Sequence, residues 1–307
     1  MTFAETISLL PIIVPAAMAV VILLVLAIRR NHALTLALTL AGLIVSVGLV
    51  VFGETESVPV TTLLVLDGYA RFFIGLIMAQ TAAVALLSYG YLARRGGMVE
   101  EYYVLLLLAA VGAAVLAAST HFASFFLGLE TLSVPLYTLI GYHRRGELSV
   151  EAAFKYLVLA ATAASMLLFG MAMVYADLGR LQFAEAAMRL ADLRMAGSQP
   201  TFVLTAGMVL IIIGIAFKLA LAPLHLWTPD VYQGAPAPVT AFVATVSKGA
   251  MFALLLRYFA EMGLLGQRPF FLTLALIAVA SMLGGNLLAL LQTNVKRILA
   301  YSSIAHL

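Results

Sequence analysis

Long apolar stretches follow one another along this chain, and they constrain its fold more than any other feature. An α-helix needs about 20 apolar residues to cross the hydrocarbon core of a bilayer. Nine stretches approach or exceed that length, at residues 8–28, 33–53, 70–92, 102–119, 121–141, 152–175, 201–233, 239–260 and 270–290. Only 10% of the residues are charged, whereas a soluble domain carries about 25%. The sequence therefore predicts an all-α polytopic membrane protein.

A tenth apolar stretch begins near residue 295 and is still running at Leu307, where the sequence stops. At 1.5 Å per residue it would cover about 15 Å, which is about half a bilayer. We therefore expect the sequence to be a C-terminally incomplete part of a longer protein.

Paired basic residues predict the orientation of the helices. The pairs follow stretches one, three, five and nine, at Arg29–Arg30, Arg94–Arg95, Arg144–Arg145 and Lys296–Arg297. All four fall on one side of the membrane, which the positive-inside rule makes cytoplasmic. Glu54 and Glu56 then lie on the outer side, as does the segment 177–199, whose pattern predicts a short amphipathic helix at the interface. The N-terminus is expected on the outer side.

The seventh stretch is too long for one straight helix. Residues 201–233 would span about 50 Å as a continuous helix, and Pro223 and Pro229 interrupt them. Because proline clashes with the carbonyl four residues earlier, Pro223 should free the carbonyl of Leu219. Broken helices near the middle of the membrane are typical of ion and substrate sites in transporters. We expect a broken seventh helix with a functional site beside Lys218.

Three ionisable residues lie near the centres of apolar stretches. They are Glu130 in the fifth stretch, Lys218 in the seventh and Lys248 in the eighth. A charge at that depth costs about 2.5–3.5 kcal/mol on insertion scales, so such residues usually have a function. The sequence contains no nucleotide-binding loop, metal-spaced histidines or catalytic triad. The pattern therefore favours proton transfer, and the alternative is a structural role in which the charges fix helix packing.

Two further residues are weaker candidates. His225 follows the lysine of the seventh stretch by seven residues, and we interpret it either as a relay member or as a polar loop cap. Lys155 lies four residues into the sixth stretch, where snorkelling or a pair with Glu151 explains it as well as a relay does. Asp230 and Arg257 lie near the ends of stretches, where solvated or interhelical ion pairs are usual.

The remaining composition excludes other classes of function. The sequence contains no cysteine, which excludes disulfides and thiolate-held metal or iron–sulfur sites in this chain. The pI is about 9.2, but the basic residues lie in short pairs at the ends of stretches, so they indicate topology and not a nucleic-acid partner. No polar stretch is long enough for a soluble catalytic domain. The expected surroundings are a lipid bilayer.

Three separated motifs lie in order along the chain. They are FLGLETLSVPLYTLIGY at 126–142, FKLALAPLHLWTPDVYQGAPAPVTAFVATVSKGAMFALLLRYF at 217–259, and LLALLQTNVKRILAYSSIAHL at 287–307. Together they resemble the proton-translocating, antiporter-like membrane subunits of respiratory complex I (NADH-quinone oxidoreductase). The form PDVYQGAPAPVTAF is closer to the N-type subunits than to the L- and M-type subunits. The resemblance covers about residues 40–307.

The resemblance implies a fold. The family is an antiporter-like helical bundle of about fourteen helices with a discontinuous seventh helix and two inverted five-helix repeats. Residues 1–100 would hold helices 1–3, residues 101–261 the first repeat (helices 4–8), and residues 262–307 the start of the second repeat (helices 9–10). The family's further lysine, on a broken twelfth helix, would lie beyond Leu307.

The resemblance also implies residue roles. Glu130 and Lys218 match the family's fifth-helix glutamate and seventh-helix lysine, and would form a switchable ion pair. Lys248 matches the central lysine of the eighth helix, and would receive the proton and pass it onward. The driving energy would come from quinone reduction in other subunits.

The expected surroundings of the chain follow from the same resemblance. No redox cofactor is expected in this chain, and NADH, FMN, iron–sulfur clusters and quinone are expected in partner subunits. The expected partners are the M-, K- and J-type membrane-arm subunits, in the cytoplasmic (inner) membrane of a bacterium. Three alternatives stay open: a subunit of a multisubunit cation/proton antiporter, a membrane subunit of an energy-converting hydrogenase or formate-linked complex, and a purely structural membrane subunit.

Overall fold

The computed structural model describes residues 3–53, 57–143, 146–197, 199–264 and 266–307, with the side chains of residues 3 and 4 also left out. Within these ranges nine helices are long and apolar enough to cross a membrane. The prediction of an all-α multi-pass membrane protein is thus confirmed. Glu54, Glu56 and the Arg144–Arg145 pair, which entered the predicted orientation, lie outside the described residues.

The first half of the chain forms long helices and one small hairpin. Its elements are α1 (Phe3–Ile28), α2 (His32–Phe52), β1 (Val58–Val60), β2 (Leu64–Leu66), α3 (Gly68–Ala93), α4 (Glu101–Ala118), α5 (Phe122–Ile140) and α6 (Glu147–Leu178). The hairpin, which the apolar pattern did not predict, pairs β1 and β2 in antiparallel register, with Val58 opposite Leu66.

The second half contains shorter and interrupted helices. Its elements are α7 (Phe183–Met195), α8 (Phe202–Leu219), α9 (Trp227–Gly234), α10 (Ala237–Phe242), a π-helical turn (Val243–Ser247), α11 (Lys248–Glu261), α12 (Arg268–Leu290) and α13 (Val295–Ala305). The short helix predicted within 177–199 is α7, which buries Phe183, Ala186 and Leu190 on one face. α13 is the helix predicted from residue 295.

α4 lies at the centre of the packing, because small residues let its neighbours approach closely. About four-fifths of the residues in its apolar segment are buried, whereas about a tenth of those in the apolar segment of α12 are buried. A Cβ at Gly112 would overlap the backbone nitrogen of Leu132, so the backbones of α4 and α5 are in direct contact. This contact holds the turn of α5 that carries Glu130 against the middle of α4.

A second close contact positions α8 against α6. A Cβ at Gly207 would stand 2.9 Å from the carbonyl oxygen of Gly170, and a Cβ at Gly170 would stand 2.7 Å from that of Gly207. Each glycine therefore admits the backbone of the other helix. With α8 fixed in this way, its last turn, which carries Lys218, lies beside Tyr156 of α6.

The seventh stretch is broken, as predicted, and Pro223 lies within the break. α8 already ends at Leu219, because Ala220 adopts a left-handed conformation with φ of 62°. The amide of Ala220 donates to the carbonyl oxygen of Phe217, and that of Leu221 donates to Ala216. α8 thus ends at Leu219, the residue whose carbonyl Pro223 was predicted to free, and the left-handed residue Ala220 follows directly.

A hydrogen bond connects the two halves of the broken helix, α8 and α9. α9 begins at Trp227, whose indole nitrogen donates to the carbonyl oxygen of Phe217 at 2.9 Å. Pro229 lies in the first turn of α9, where a missing amide hydrogen costs no helical hydrogen bond. The segment between Leu219 and Trp227 therefore forms a fixed break, and it contains His225.

Candidate functional site

Lys218 is a buried cation whose described partners are neutral. Its side chain is on the last turn of α8 and only 6% of the residue is exposed. The Nζ atom donates to the hydroxyl of Ser133 at 2.7 Å and lies 5.4 Å from the centre of the Tyr156 ring. Ser133 donates its own hydrogen to the carbonyl oxygen of Leu129 at 2.6 Å, which leaves its lone pairs for the lysine.

Glu130 lies on the same face of α5 as Ser133, three residues away. Its Oε1 atom is inaccessible to solvent and has no hydrogen-bond partner among the described residues. The hydrogen bond of Lys218 goes to Ser133, which lies one helical turn after Glu130 on α5. The two predicted residues thus lie in one region, with a hydroxyl as the direct partner of the lysine.

Lys248 is the second buried cation with neutral contacts. It follows the π-helical turn directly, and 3% of the residue is exposed. Its Nζ atom donates to Oγ of Ser303 at 2.8 Å and to the carbonyl oxygen of Ser303 at 3.3 Å. The ring of Tyr232 lies 5.9 Å from Nζ. Lys248 therefore connects the eighth stretch to α13.

His225 lies in the break between α8 and α9 and is buried. Neither of its ring nitrogens has a hydrogen-bond partner among the described residues, nor does Oγ1 of Thr228, one turn later. The ring of Tyr301 is 6.4 Å away, centre to centre. Buried polar groups that lack a protein partner are usually satisfied by water, so this part of the break is suited to hold water.

Lys155 differs from the other candidates because its side chain is exposed and paired. It contacts Glu151 at 2.7 Å and Asp230 at 3.0 Å, and Asp230 also accepts from Arg297 at 2.9 Å. The pair with Glu151, which the sequence left open, is present. These side chains line a surface depression of about 170 Å³ between α6, α9 and α13. Lys155 therefore lies at the surface, apart from the buried groups.

Arg257 forms an interhelical ion pair near the end of α11, as its position predicted. Its guanidinium donates to both oxygens of Asp67, at 2.7 and 3.0 Å, and to Glu261 at 3.4 Å. Asp67 also caps α3 by accepting from the amide of Ala70. Burial alone would raise the pKa of the Asp67 carboxyl, but the hydrogen bonds from Arg257 and Ala70 outweigh burial and hold it below its ordinary value.

Sequence reasoning missed the hydroxyl and ring partners of the buried lysines. These are Ser133, Tyr156, Tyr232 and Ser303. The spacing of Ser133 from Glu130 could have drawn attention to it, since residues three apart share a helix face. Nothing in the sequence connects Ser303 to Lys248, which are 55 residues apart. Across the described ranges, no group of three His, Asp or Glu side chains could hold a metal ion.

Comparison with known proteins shows the family of this chain. A family model described as NADH:quinone oxidoreductase/Mrp antiporter, TM, matches residues 119–307, more than half of the sequence. The chain belongs to this family. The matched range contains all five candidate residues, Glu130, Lys155, Lys218, His225 and Lys248.

Curated relatives in this NADH:quinone oxidoreductase/Mrp antiporter family are similar over the whole chain. NADH-quinone oxidoreductase subunit N of Nitrosospira multiformis is 53% identical over 304 residues, covering 99% of this chain and 59% of the relative. The subunit N of Methylococcus capsulatus is 49% identical over 310 residues, covering 100% and 62%. The chain thus spans about three-fifths of the length of these relatives.

Solved structures show the same fold. Respiratory complex I from Thermus thermophilus with bound aureothin contains a chain with a TM-score of 0.80 and 34% identity, covering 96% of this chain and 62% of that one. A chain of the archaeal membrane-bound sulfane sulfur reductase has a TM-score of 0.83 and 28% identity, covering 98% and 63%. A chain of the Mrp complex from Dietzia sp. has a TM-score of 0.79 at 23% identity, covering 99% and 57%, which shows likeness of fold alone.

Proposed function

We propose that this chain is the larger part of an N-type membrane-arm subunit of a bacterial NADH-quinone oxidoreductase, and that it translocates protons. Identities of 53% and 49% to two proteins named subunit N support the assignment. In this proposal the M-, K- and J-type subunits are neighbours, and redox cofactors are held by other subunits. The subunit lies in the cytoplasmic (inner) membrane with its N-terminus outside.

We also propose that the chain contains one complete five-helix repeat and the start of a second. Residues 1–100 precede the first five-helix repeat at 101–261, and the second repeat starts within 262–307. The contact between Lys248 and Ser303 would then join the last helix of the first repeat to α13 of the second.

One observation carries the functional proposal: the two lysines in the membrane interior have neutral hydrogen-bond partners. Lys218 donates to Ser133, and Lys248 donates to Ser303. Serine hydroxyls accept a hydrogen bond from either form of an amine without neutralising its charge. The protonated and neutral forms therefore differ less in stability than in a closed ion pair, which favours a residue that must both take and give a proton.

Glu130 would be the switch in this mechanism. Two unit charges about 6 Å apart attract each other by about 2.8 kcal/mol at an effective dielectric of about 20. While Glu130 faces Lys218, this attraction keeps the lysine protonated. When a charge in a neighbouring subunit draws Glu130 away, Lys218 loses that support and can release its proton. Among the described residues the Oε1 atom of Glu130 has no hydrogen-bond partner, which supports such freedom to move.

The released proton would travel through the break towards Lys248. Water held by His225 and Thr228, whose buried polar atoms have no described protein partner, would connect the two lysines. Lys248 would then pass the proton towards the second repeat. Lys155, with Asp230 and Arg297 at the surface depression, would be the outermost member on the cytoplasmic side.

The test is proton pumping by the assembled complex containing the full-length subunit. Lys248→Ala and Glu130→Ala should each lower NADH-driven proton pumping about tenfold, which corresponds to about 1.4 kcal/mol. Arg180→Ala and Glu185→Ala are the matched controls, because they remove an exposed cation and an exposed anion from a surface ion pair. Both controls should pump at the wild-type rate. Wild-type pumping by both the Lys248 and the Glu130 variant would overturn the proposal.

The same preparations separate the alternative functions. A cation/proton antiporter subunit would exchange sodium for protons without NADH, and the family description includes Mrp antiporters. A structural subunit would pump normally after neutralisation of all three buried residues, provided that the complex assembles. The names of the relatives favour NADH-driven pumping over both outcomes.

A further inference from the structure

We propose that Ser303 is a positioning residue for Lys248, and that Tyr232 orients Ser303. This inference rests on the proposed proton-translocating function. The Oγ atom of Ser303 accepts from Nζ of Lys248 at 2.8 Å and from the hydroxyl of Tyr232 at 3.1 Å. A serine oxygen has two lone pairs, so both are occupied. The hydroxyl hydrogen of Ser303 must then point away from the lysine.

The three residues come from three separate elements. Tyr232 lies on α9, Lys248 at the start of α11, and Ser303 on α13. The backbone oxygen of Tyr232 also accepts a hydrogen bond from Thr240 of α10. The Oγ atom of Ser303 on α13 therefore contacts both the second half of the broken helix, through Tyr232, and Lys248. A displacement of any of the three elements would change the position of the lysine amine.

An irregular turn of the backbone directly before Lys248 changes the direction in which the lysine side chain points. A π-helical turn at Val243–Ser247 ends immediately before the lysine. Such a turn inserts one extra residue, which rotates the following side chain by about 100° relative to an uninterrupted α-helix. Short π-helical turns are frequent at functional sites. The turn and the two hydrogen bonds to Ser303 together define where the amine of Lys248 lies.

The surrounding ionisable side chains do not take over the role of Ser303. α3, α4, α7 and α8 pack against α11. Four of their ionisable side chains have partners other than Lys248: Tyr69 contacts Ala253, Tyr102 contacts Ser88, Glu185 contacts Arg180, and Lys218 contacts Ser133. Tyr232 of α9 is the ionisable side chain whose ring faces Lys248. Without the Ser303 hydroxyl, the described acceptor left for the ammonium is the carbonyl oxygen of Ser303 at 3.3 Å.

Removal of the hydroxyl should therefore weaken the protonated form of Lys248. The experiment measures NADH-driven proton pumping against pH in the assembled complex for Ser303→Ala and Ser303→Thr. For Ser303→Ala, the alkaline limb of the profile should move to lower pH by about one unit, since a hydrogen bond to a charged group is worth about that much. Ser303→Thr keeps the hydroxyl and should restore the wild-type limb.

Ser302→Ala is the matched control, because Ser302 is the adjacent serine of α13 and Lys248 donates to Ser303 instead. A structural role of this helix turn would alter the amount of complex in both variants without moving the pH limb. If Ser303→Ala does not assemble, Tyr232→Phe tests the inference in its place. This variant keeps the ring and removes only the hydrogen bond to Ser303. It should move the limb in the same direction by a smaller amount.

Two results overturn the inference. One is a Ser303→Ala profile that superimposes on that of the wild type, and the other is an equal shift in Ser302→Ala. Lys248→Ala in the same series separates the two proposals. If that variant loses pumping while Ser303→Ala is unchanged, only the positioning role is wrong. If Lys248→Ala pumps normally, the proposed function fails together with the inference.

Discussion

The cations near the helix ends and the cations in the membrane interior are held in different ways. Arg257 donates to two carboxylates, Asp67 and Glu261, at the end of α11. Lys218 and Lys248 are equally buried, but their hydrogen bonds go to serine hydroxyls and a carbonyl. Both arrangements accommodate a charge inside an apolar bundle. They differ in whether the charge is neutralised by its direct partners.

The two kinds of partner affect how easily the buried side chain can release a proton. A buried ion pair is stable only while both partners stay charged, and removal of one partner leaves an unpaired buried charge. Arg257 therefore acts as a clamp between α3 and α11. A lysine held by neutral acceptors can lose its proton without leaving an unpaired anion in direct contact. The interior lysines are thus suited to proton transfer, and the clamp near the helix ends is suited to stability.

The largest expected effect is on the clamp. Arg257→Ala should destabilise the subunit by about 3 kcal/mol, the low end for a broken buried pair, because Asp67 is partly exposed. The measurement is the amount and the thermal stability of the assembled complex. Arg194→Ala, which removes an exposed arginine that contacts Gln267, is the matched control and should assemble normally. A stable Arg257→Ala complex that fails to pump would show that Arg257 acts in proton transfer and not in stability.

A smaller effect is expected when an interior lysine keeps its charge but cannot release its proton. Arginine stays protonated at any accessible pH, so Lys218→Arg should lower NADH-driven pumping about tenfold, or about 1.4 kcal/mol. Arg257→Lys, the reciprocal variant, should pump at the wild-type rate in whatever complex assembles. Because arginine is larger, Lys218→Met serves as a neutral variant of similar length and should also lose pumping. Normal pumping by Lys218→Arg would show that this residue does not titrate during turnover.

The smallest expected effect is the pH dependence of the clamp. Since the pKa of Asp67 lies below its ordinary value of 3.8, its contribution to stability is fully present above that value. The contribution is lost only as the pH falls through the lowered pKa. The difference in thermal stability between wild type and Asp67→Asn should therefore stay constant from pH 7 to pH 5 and shrink below about pH 4. A difference that already disappears near neutral pH would contradict the assigned pair.

Much of the fold was predictable because the bilayer restricts it. Lipid offers no hydrogen bonds to the backbone, so each long apolar stretch must form a helix. For example, the stretch predicted at 270–290 is observed as α12, which begins two residues earlier, at Arg268, and ends at Leu290. The hairpin at Val58–Leu66 was missed because its two strands are only three residues each. The prolines of the seventh stretch predicted its break, whereas the left-handed conformation of Ala220 has no signal in the sequence.

The amino-acid sequence alone is enough to predict a multi-pass helical membrane protein and to identify the ionisable residues within its apolar stretches. Both follow from hydrophobicity and length, which are local properties. The contacts of each charge depend instead on how the helices pack: Lys218 donates to a serine of α5, Lys248 to a serine of α13, and Arg257 to a carboxylate at the start of α3. These partners are between 55 and 190 residues apart in the chain, and helix packing alone brings them together.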